Sequence, residues 1–567
     1  MASAPRKGTT ILGTLGTLSV VAQSANPDNE TIAAALERLA SLLELAESSV
    51  YSVRAYRRAA ELVRGTPAVV AELVRRGEVR RLRGIGPSIE QRLREIVQTG
   101  ALHEVAELEE QLQPALVGLG RYLGVSPKRT AQIGRALGVR DVDDLRAAAA
   151  AGRLRDVHGI GPATERRILA ALAVEAPPEV AGRAPLLNRA RRLLEGIASA
   201  VGGVAAGDVR RWRDTPRELA VVTFSPWPVP ILEAFAALPE VVTLVERAER
   251  RAVGVTVDGM PVELVVAEPA GFGTALVRAT GSRAYVEALE PLPEAPDEEG
   301  LYAKLGVPYC PPELREEPFR GEPPPLVEPA DVRGDLHCHS TWSDGKASVL
   351  EMGEAAIALG YEYLAICDHT RNVRVVPGLN AEDVRHQAVE IAEANEQLAP
   401  FQLLHGIECD ILPDGSLDLP DAVLAGLDWV MASVHAGQRQ PRAELTRRVV
   451  TAMEHPSVSA LSHPTGRLIN RRPPNAVDLE RVIEAAVATG TALEVNGLPD
   501  RLDLRDEHVR LAVEAGAEIV VSTDAHSARG LGNMQLAVAT ARRGRAAAAS
   551  VVNTRPLAAI LARRQGS

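Results

Sequence analysis

From about Asn29 the apolar residues recur at helical spacing, with Ile32, Leu36, Leu39, Leu42, Leu43 and Ala46 on one stripe. A second helical segment runs Tyr51-Ser-Val-Arg54-Ala-Tyr56-Arg57-Arg58-Ala-Ala. The pattern is then broken twice by the same phrase, Leu82-Arg83-Gly84-Ile85-Gly86-Pro87 and Val157-His158-Gly159-Ile160-Gly161-Pro162, each time running into a further helix. Between about 185 and 320 the pattern changes. Leu219 to Phe224, Val253 to Val257 and Val262 to Ala267 read as strands of an α/β domain, punctuated by Pro-rich stretches at 291–296 and 322–329.

From Gly334 onward, short apolar runs alternate with Ala-, Glu- and Arg-rich segments of helical length, such as Ala381 to Leu398 and Leu479 to Thr489. Most runs end in a residue able to bind a metal. After the first come Tyr363-Leu-Ala-Ile-Cys-Asp368-His369, Leu403-Leu-His-Gly-Ile-Glu408 and Trp429-Val-Met-Ala-Ser-Val-His435. Ser459-Ala-Leu-Ser-His463, Ala492-Leu-Glu-Val-Asn496 and Ile519-Val-Val-Ser-Thr-Asp524-Ala-His526 complete the series. Strand alternating with helix predicts parallel strands in βαβ units, and seven such strands suffice to close a barrel. In barrels of this kind the chemistry gathers at the C-terminal ends of the strands.

The stretch Gly334-Asp335-Leu336-His337-Cys338-His339-Ser340-Thr341-Trp342-Ser343-Asp344-Gly345 opens that half. Histidines two apart on a strand share a face, and a Ser-Asp-Gly turn can swing a carboxylate back to them. A pair of surface histidines with a turn aspartate is the plain alternative. The later runs decide for a metal site of mixed N and O donors, which suits Zn, Mn or Fe alike. Each Gly-Ile-Gly, with the helix start behind it, forms a nest of backbone N–H groups able to take a phosphate oxygen. An ordinary helix turn is the alternative, but two copies favour phosphate. Arg54, Arg57, Arg58 and further arginines up to Arg94 crowd the first copy, as a nucleic-acid face requires. Contacts of this type fix a strand in place and read no sequence.

Composition adjusts this picture only in part. At 567 residues the chain is too long for one core. A net charge of -11 gives no hint of nucleic acid and masks the basic N-terminal region. The four cysteines, Cys310, Cys338, Cys367 and Cys409, form no CxxC pair and read as reduced thiols of a cytoplasmic setting. No apolar run approaches the roughly 20 residues of a membrane span. Residues 6–25 mimic a secretory signal, but Gly13, Thr14, Gly16, Thr17 and Ser19 interrupt the run, and a disordered tail is preferred.

The chain resembles the bacterial family X DNA polymerases with a C-terminal PHP (polymerase and histidinol phosphatase) domain. The carriers are the strand-end ligand series, the Arg54-Ala-Tyr-Arg-Arg-Ala-Ala segment, the paired hairpins and Leu305-Gly-Val-Pro-Tyr-Cys-Pro-Pro-Glu-Leu-Arg-Glu316. The resemblance implies a distorted (βα)7 barrel holding up to three divalent ions, Mn or Zn with Fe also open, on His337, His339, Asp344, His369, Glu408, His435, His463, Asp524 and His526. It implies a disordered tail at 1–26, a helical DNA-binding domain at 27–100 and a second helical domain at 101–180, each with one helix-hairpin-helix. A palm and thumb-like domain at 181–320, a Pro-rich linker at 321–332 and the PHP domain at 333–567 would follow.

The polymerase half departs from the family pattern. The Gly-Ser-x-Arg-Arg segment reads Gly207-Asp208-Val209-Arg210-Arg211, and the Asp-x-Asp strand reads Glu218-Leu219-Ala220. The third carboxylate is Glu263, while Thr280-Gly281-Ser282 is retained. Asp214 would enter only under a shifted alignment. The expected function is metal-dependent hydrolysis of DNA from the 3′ end in repair, with His337, Glu408 and Asp524 as the residues of the chemistry. DNA would be held by its backbone, without sequence preference, at Gly84, Ile85, Gly86, Gly159, Ile160 and Gly161 and by Arg54, Arg57 and Arg58. Asp368 and Asn496 are expected either to orient ligands or merely to cap strand ends. A phosphomonoesterase, an active repair polymerase and a non-catalytic DNA-end scaffold are the rivals. With no lysine between Lys7 and Lys128, Schiff-base lyase chemistry is not expected from the first helical region. Oligomeric state is not legible.

Overall fold

The computed structural model describes residues 27–563 apart from 47, 67, 83, 113, 126, 174–183, 257–258, 319–320 and 374–375. The expected tail at 1–26 lies outside the described residues. The chain divides into two compact units, Met1–Pro114 and Ala115–Ser567.

The first unit is helical. Its opening helix, Asn29–Leu45, is capped by Asp28, whose carboxylate accepts the Thr31 N–H at 2.7 Å. Ile32, Leu36, Leu39 and Leu43 are buried with Val63, Val70, Leu93 and Ile96 of the following helices. Ala46, placed on the same stripe by periodicity, is exposed because the helix stops at Leu45.

The second unit opens with four more helices, Pro114–Tyr122, Pro127–Leu137, Val142–Ala150 and Pro162–Ala173. They bury Leu119, Ile133, Leu145 and Ile168 against Val245, Val253 and Val255 of a sheet. That sheet comprises β1 (Val204–Ala206), β2 (Leu219–Phe224), β3 (Val241–Arg247), β4 (Arg251–Thr256) and β5 (Pro261–Ala267), in the order β1-β2-β5-β4-β3. Its pairings are antiparallel except β2 with β5. Alternation assigns its faces: Leu219, Val221, Val262 and Leu264 meet Leu194 and Ile197 of helix Leu187–Val201, while Ala220 and Val222 meet Leu276 of helix Phe272–Thr280.

The barrel follows as β6 (Gly334–Cys338), β7 (Tyr363–Ile366), β8 (Gln402–Asp410), β9 (Trp429–Ser433), β10 (Ala460–Leu461), β11 (Ala492–Asn496) and β12 (Ile519–Ser522). All seven lie in chain order with parallel neighbours, and a Cys338–Ala525 bridge brings the last back to the first. Strands buried on both faces explain runs that are nearly continuously apolar. β10 is only two residues long where a five-residue run was expected; His463, two positions beyond, has φ +25° and leaves the extended conformation. The Pro-rich stretch expected as a linker is laid against the barrel. Val327 and Val332 are in its core, and the Val327 N–H donates to the Ala546 carbonyl at 2.9 Å. All four cysteines are buried and unpaired, as anticipated.

Candidate metal centre

At the C-terminal end of the barrel strands, one carboxylate sits among five imidazoles. Glu408 Oε2 lies 2.8 Å from His369 Nδ1, 3.6 Å from His337 Nε2 and 3.7 Å from His339 Nε2. Its other oxygen is 2.9 Å from His463 Nε2 and 3.4 Å from His435 Nε2. Asp524 Oδ1 reaches His339 Nε2 at 3.1 Å, and Asp344 Oδ1 reaches His526 Nε2 at 3.3 Å and His369 Nε2 at 3.6 Å. All nine ligand positions inferred from sequence are thus brought together. Three groups of donors lie close enough to share an ion: His339, Asp344, His369 and His526; His337, His339 and Asp524; His369, Glu408 and His435. Glu408 lies inside β8 and His337 inside β6, so not every donor waits for its strand to end.

Partners behind the histidines fix their tautomers. His337 Nδ1 is 2.6 Å from Glu494 Oε1, His435 Nδ1 is 2.8 Å from Asp410 Oδ1, and His526 Nδ1 is 2.9 Å from the Asp524 carbonyl. With Nδ1 occupied, each ring turns Nε2 inward, the arrangement that metal-binding histidines share. Glu494 and Asp410 were not singled out from sequence. The available signals were an acid in the middle of the apolar run Ala492-Leu-Glu-Val-Asn496 and a second acid closing β8. Asn496 donates to Asp524 Oδ2 at 3.0 Å, so it orients a candidate ligand. Asp368 instead accepts from Ser340 N and Oγ at 2.8 and 2.6 Å, from Gln387 at 2.7 Å and from Ser343, anchoring the turn that carries Asp344.

The electrostatics follow from burial and mutual proximity. Burial alone would raise Glu408 and Asp524, but the surrounding imidazoles hold both well below the usual carboxylate range. Burial together with the neighbouring His369 and His526 brings His339 down to about 4. For His435 burial is outweighed by Glu408 and Asp410, which raise it to about 10.

The donor set fits a metal by a further observation. His337 Nε2, His339 Nδ1, His369 Nδ1 and Glu408 Oε2 are buried with no hydrogen-bond partner; His369 and Glu408 approach closely but out of alignment. Buried polar atoms left unpaired are costly and therefore rare. Here several converge on one place, as a cation site requires. His463 and Asp524 also hold positive φ, +25° and +50°, an uncommon conformation for residues with side chains that recurs at functional sites.

The two hairpins share one geometry. Gly84 and Gly159 have φ of +107° and +87°, which a residue with a side chain rarely adopts. Ile85 and Ile160 are buried between them and the next helix, while Gly84, Gly159 and Gly161 are exposed. A Cβ on Gly86 or Gly161 would meet nothing within 4 Å, so the approach to the backbone is open. Arg54 and Arg58 are exposed beside the first hairpin's helices, and Arg57 is half-buried. Several arginines of the region are engaged with acids: Arg64 with Glu37, Arg81 with Glu78, Arg92 with Glu95 and Arg94 with Glu90. The basic excess is therefore smaller than the sequence suggested.

Three family models match, described as a helix-hairpin-helix domain at 27–102, a SAM-like helix-hairpin-helix tandem at 123–173 and a PHP domain at 335–497. A Bacillus subtilis protein named DNA polymerase/3'-5' exonuclease PolX is 34% identical over 92% of this chain and 96% of its own length. The chain belongs to the PolX family. It is also similar to a probable phosphatase of Acetivibrio thermocellus, 31% identical over 34% of this chain and 78% of that protein. A probable phosphatase of Caldanaerobacter subterraneus is 26% identical over 36% of this chain and 80% of its own length. The PHP match ends before Asp524 and His526, which this PolX chain nevertheless folds back into the same centre.

The positions that the resemblance assigns to a polymerase palm look different. Ala220 on β2 is directly opposite Glu263 on β5, and Ala220 packs with Val222 and Leu276 in the apolar cluster under helix Phe272–Thr280. Glu263 is paired with Arg251, which also holds Glu246. Glu218 precedes the strand, is 65% exposed and lies 3.2 Å from Arg211. Asp208 is spent on the local turn, accepting from the Arg217 and Glu218 N–H groups at 2.7 and 2.9 Å and pairing with Arg211. Asp214 binds Arg467 of the barrel at 2.6 Å. Among the described residues, the groups able to share a metal all belong to the barrel.

Proposed function

We propose that the barrel is the catalytic centre of this chain, a metal-dependent phosphodiesterase that removes nucleotides from DNA 3′ ends in repair, and that the palm no longer polymerises. One observation carries this reading: Glu408 buried among five imidazoles, with unpaired donor atoms close to it. The ions would be held by His337, His339, Asp344, His369, Glu408, His435, His463, Asp524 and His526, with Mn, Zn and Fe all compatible with the donors. Bound there, they would supply Lewis acidity toward a phosphoryl oxygen and lower the pKa of a water. The protein's own part is to hold the donors. Glu494 and Asp410 keep His337 and His435 in the Nε2-inward tautomer, Asn496 fixes Asp524, and the buried walls exclude bulk water. The Gly-Ile-Gly hairpins take DNA phosphates through their backbone N–H groups, which a small phosphate ester would not need.

The similarity of part of the chain to proteins named probable phosphatases favours phosphomonoester hydrolysis as the second reading. The test is digestion of 5′-labelled and 3′-labelled DNA across a Mn, Zn, Fe and Mg series, with p-nitrophenyl phosphate in parallel. Nucleotide release from the 3′ end, abolished by chelator and by His337→Ala or Asp524→Ala with DNA binding retained, is expected. Activity on the small ester alone would establish the second reading, and wild-type DNA digestion by either variant would refute the site.

A further inference from the structure

The loop after β11 carries an arginine that the metal centre as described does not use. Arg501 Nε lies 3.7 Å from Asp524 Oδ2, outside hydrogen-bonding range, and its charge acts on His463. Nε and Nη1 are both buried with no hydrogen-bond partner, although the side chain keeps a 14% exposed edge. Asp524 Oδ2 already accepts from Asn496, so that carboxylate does not satisfy the guanidinium. A buried cation with free N–H donors is costly unless a partner arrives. A planar guanidinium fits two oxygens of a phosphate, and donors fixed beforehand at the site of developing charge stabilise it most.

The same loop is held from the palm side. Leu502, the next residue, has φ +44° and is fully buried with Leu187 of the palm-side helix and Ile469 and Leu536 of the barrel, with Trp212 packed alongside. Its carbonyl accepts from Arg467 Nη2, and Arg467 Nη1 in turn binds Asp214 of the palm at 2.6 Å. Arg505 approaches the same Asp214 oxygen at 3.9 Å. Asp503 is tied from the barrel side by Thr465 N and Oγ1 at 3.0 and 2.8 Å. The palm therefore grips the chain one residue from the guanidinium.

We infer that Arg501 binds a non-bridging phosphate oxygen of the substrate in the barrel centre, and that Asp214 of the palm positions it through Arg467 and Leu502. This rests on the hydrolytic reading of the barrel and gives the palm a role in that reaction that needs no polymerase carboxylates. The test uses the full chain loaded with Mn. Inorganic phosphate binding is measured by calorimetry, and kcat and KM for a labelled oligonucleotide are measured alongside Mn content and melting temperature. For Arg501→Ala, phosphate affinity falls about tenfold and kcat about 100-fold, the loss typical of one electrostatic donor. Mn content and melting temperature stay unchanged, and Arg501→Lys recovers part of the loss. Asp214→Asn lowers kcat several-fold in the wild-type background and has no further effect in the Arg501→Ala background. Unchanged phosphate affinity and kcat in Arg501→Ala overturn the assignment. Additive losses in the double variant overturn the palm's part in it. A wild type that binds phosphate through Arg501 yet digests no DNA supports the assignment and sinks the exonuclease reading instead.

Discussion

Glu494 shows how much a single residue behind the ligands controls. Its carboxylate, fully buried, takes His337 Nδ1 at 2.6 Å and the His463 N–H at 2.5 Å, so it sets one ring's tautomer and another ligand's backbone. The imidazole neighbours keep it ionised against the effect of burial. Glu494→Gln keeps the volume and removes the charge. The amide oxygen can still accept from Nδ1–H, but it no longer raises the basicity of Nε2, and the NH₂ group then faces the His463 N–H, which loses its acceptor. Losses of 10- to 100-fold in metal affinity are typical of such changes. We expect a loss of that size for Mn, measured by competition with a chelating dye, with the melting temperature of the metal-free protein lowered by only a few degrees. Unaltered Mn affinity would show that His337 holds its tautomer without Glu494.

Between elements, the two hairpins make the next prediction. Gly84→Ala/Gly86→Ala and Gly159→Ala/Gly161→Ala each force a side chain onto a positive-φ position and cover the open backbone. Each double variant should bind duplex DNA several-fold more weakly. The wild type should show steep salt dependence, because phosphate contacts release counterions. Fluorescence anisotropy across a salt series checks both, and undiminished binding in both variants would reduce the hairpins to helix turns. A second element-level prediction concerns Glu298, which opens helix Glu298–Leu305. Burial would raise its carboxyl, but hydrogen bonds from Arg210 and Arg315, both at 2.6 Å, bring it down to about 2. A lowered pKa stabilises the fold above the unfolded value of 4.5 and the gain is lost as pH falls toward 2. At about 1.4 kcal/mol per pH unit the gain is about 3 kcal/mol. The melting-temperature gap between wild type and Glu298→Gln should therefore be widest above pH 5 and close as pH falls toward 2. A gap independent of pH would contradict it. These elements also mark what was legible. The βα alternation and the hairpins could be read because each leaves a local pattern, an apolar run or a Gly-Ile-Gly, while the full set of nine candidate donors needed the family resemblance as well as the residues at the ends of the runs. Glu494, Asp410 and Arg501 were passed over: the two acids leave only a weak local signal, and the meaning of all three comes from residues distant in the chain, His337, His435 and Asp524. The shortness of β10 likewise depends on the backbone turn at His463, which composition does not encode.

For the whole molecule, the question is whether two catalytic centres share one chain. Templated synthesis needs carboxylates that bring a primer 3′ oxygen and a triphosphate into line through two ions. In the palm, Ala220 occupies the position facing Glu263 and offers no donor atom, and it is packed among Ala206, Val222 and Leu276. Glu263 is neutralised by Arg251, and Glu218 is turned to solvent beside Arg211. The one candidate that a shifted alignment would bring in, Asp214, is committed to Arg467, whose charge holds it below the usual carboxylate range despite burial. A misplacement of about 1 Å can cost on the order of 100-fold, and here one ligand is missing altogether. The Arg467 and Arg543 contacts that join palm to barrel are meanwhile intact: Arg543 donates to the Arg211 carbonyl at 2.6 Å and pairs with Glu316 at 3.0 Å. These contacts support the proposed reading, in which the palm serves as a partner of the barrel and not as a second active site. Primer extension on a gapped duplex, with Mg or Mn and in a His337→Ala background to silence digestion, should give no template-directed product. Ala220→Asp alone should not restore it, because Arg251 still holds Glu263. Template-directed extension by the His337→Ala protein would return the polymerase to the function of this chain.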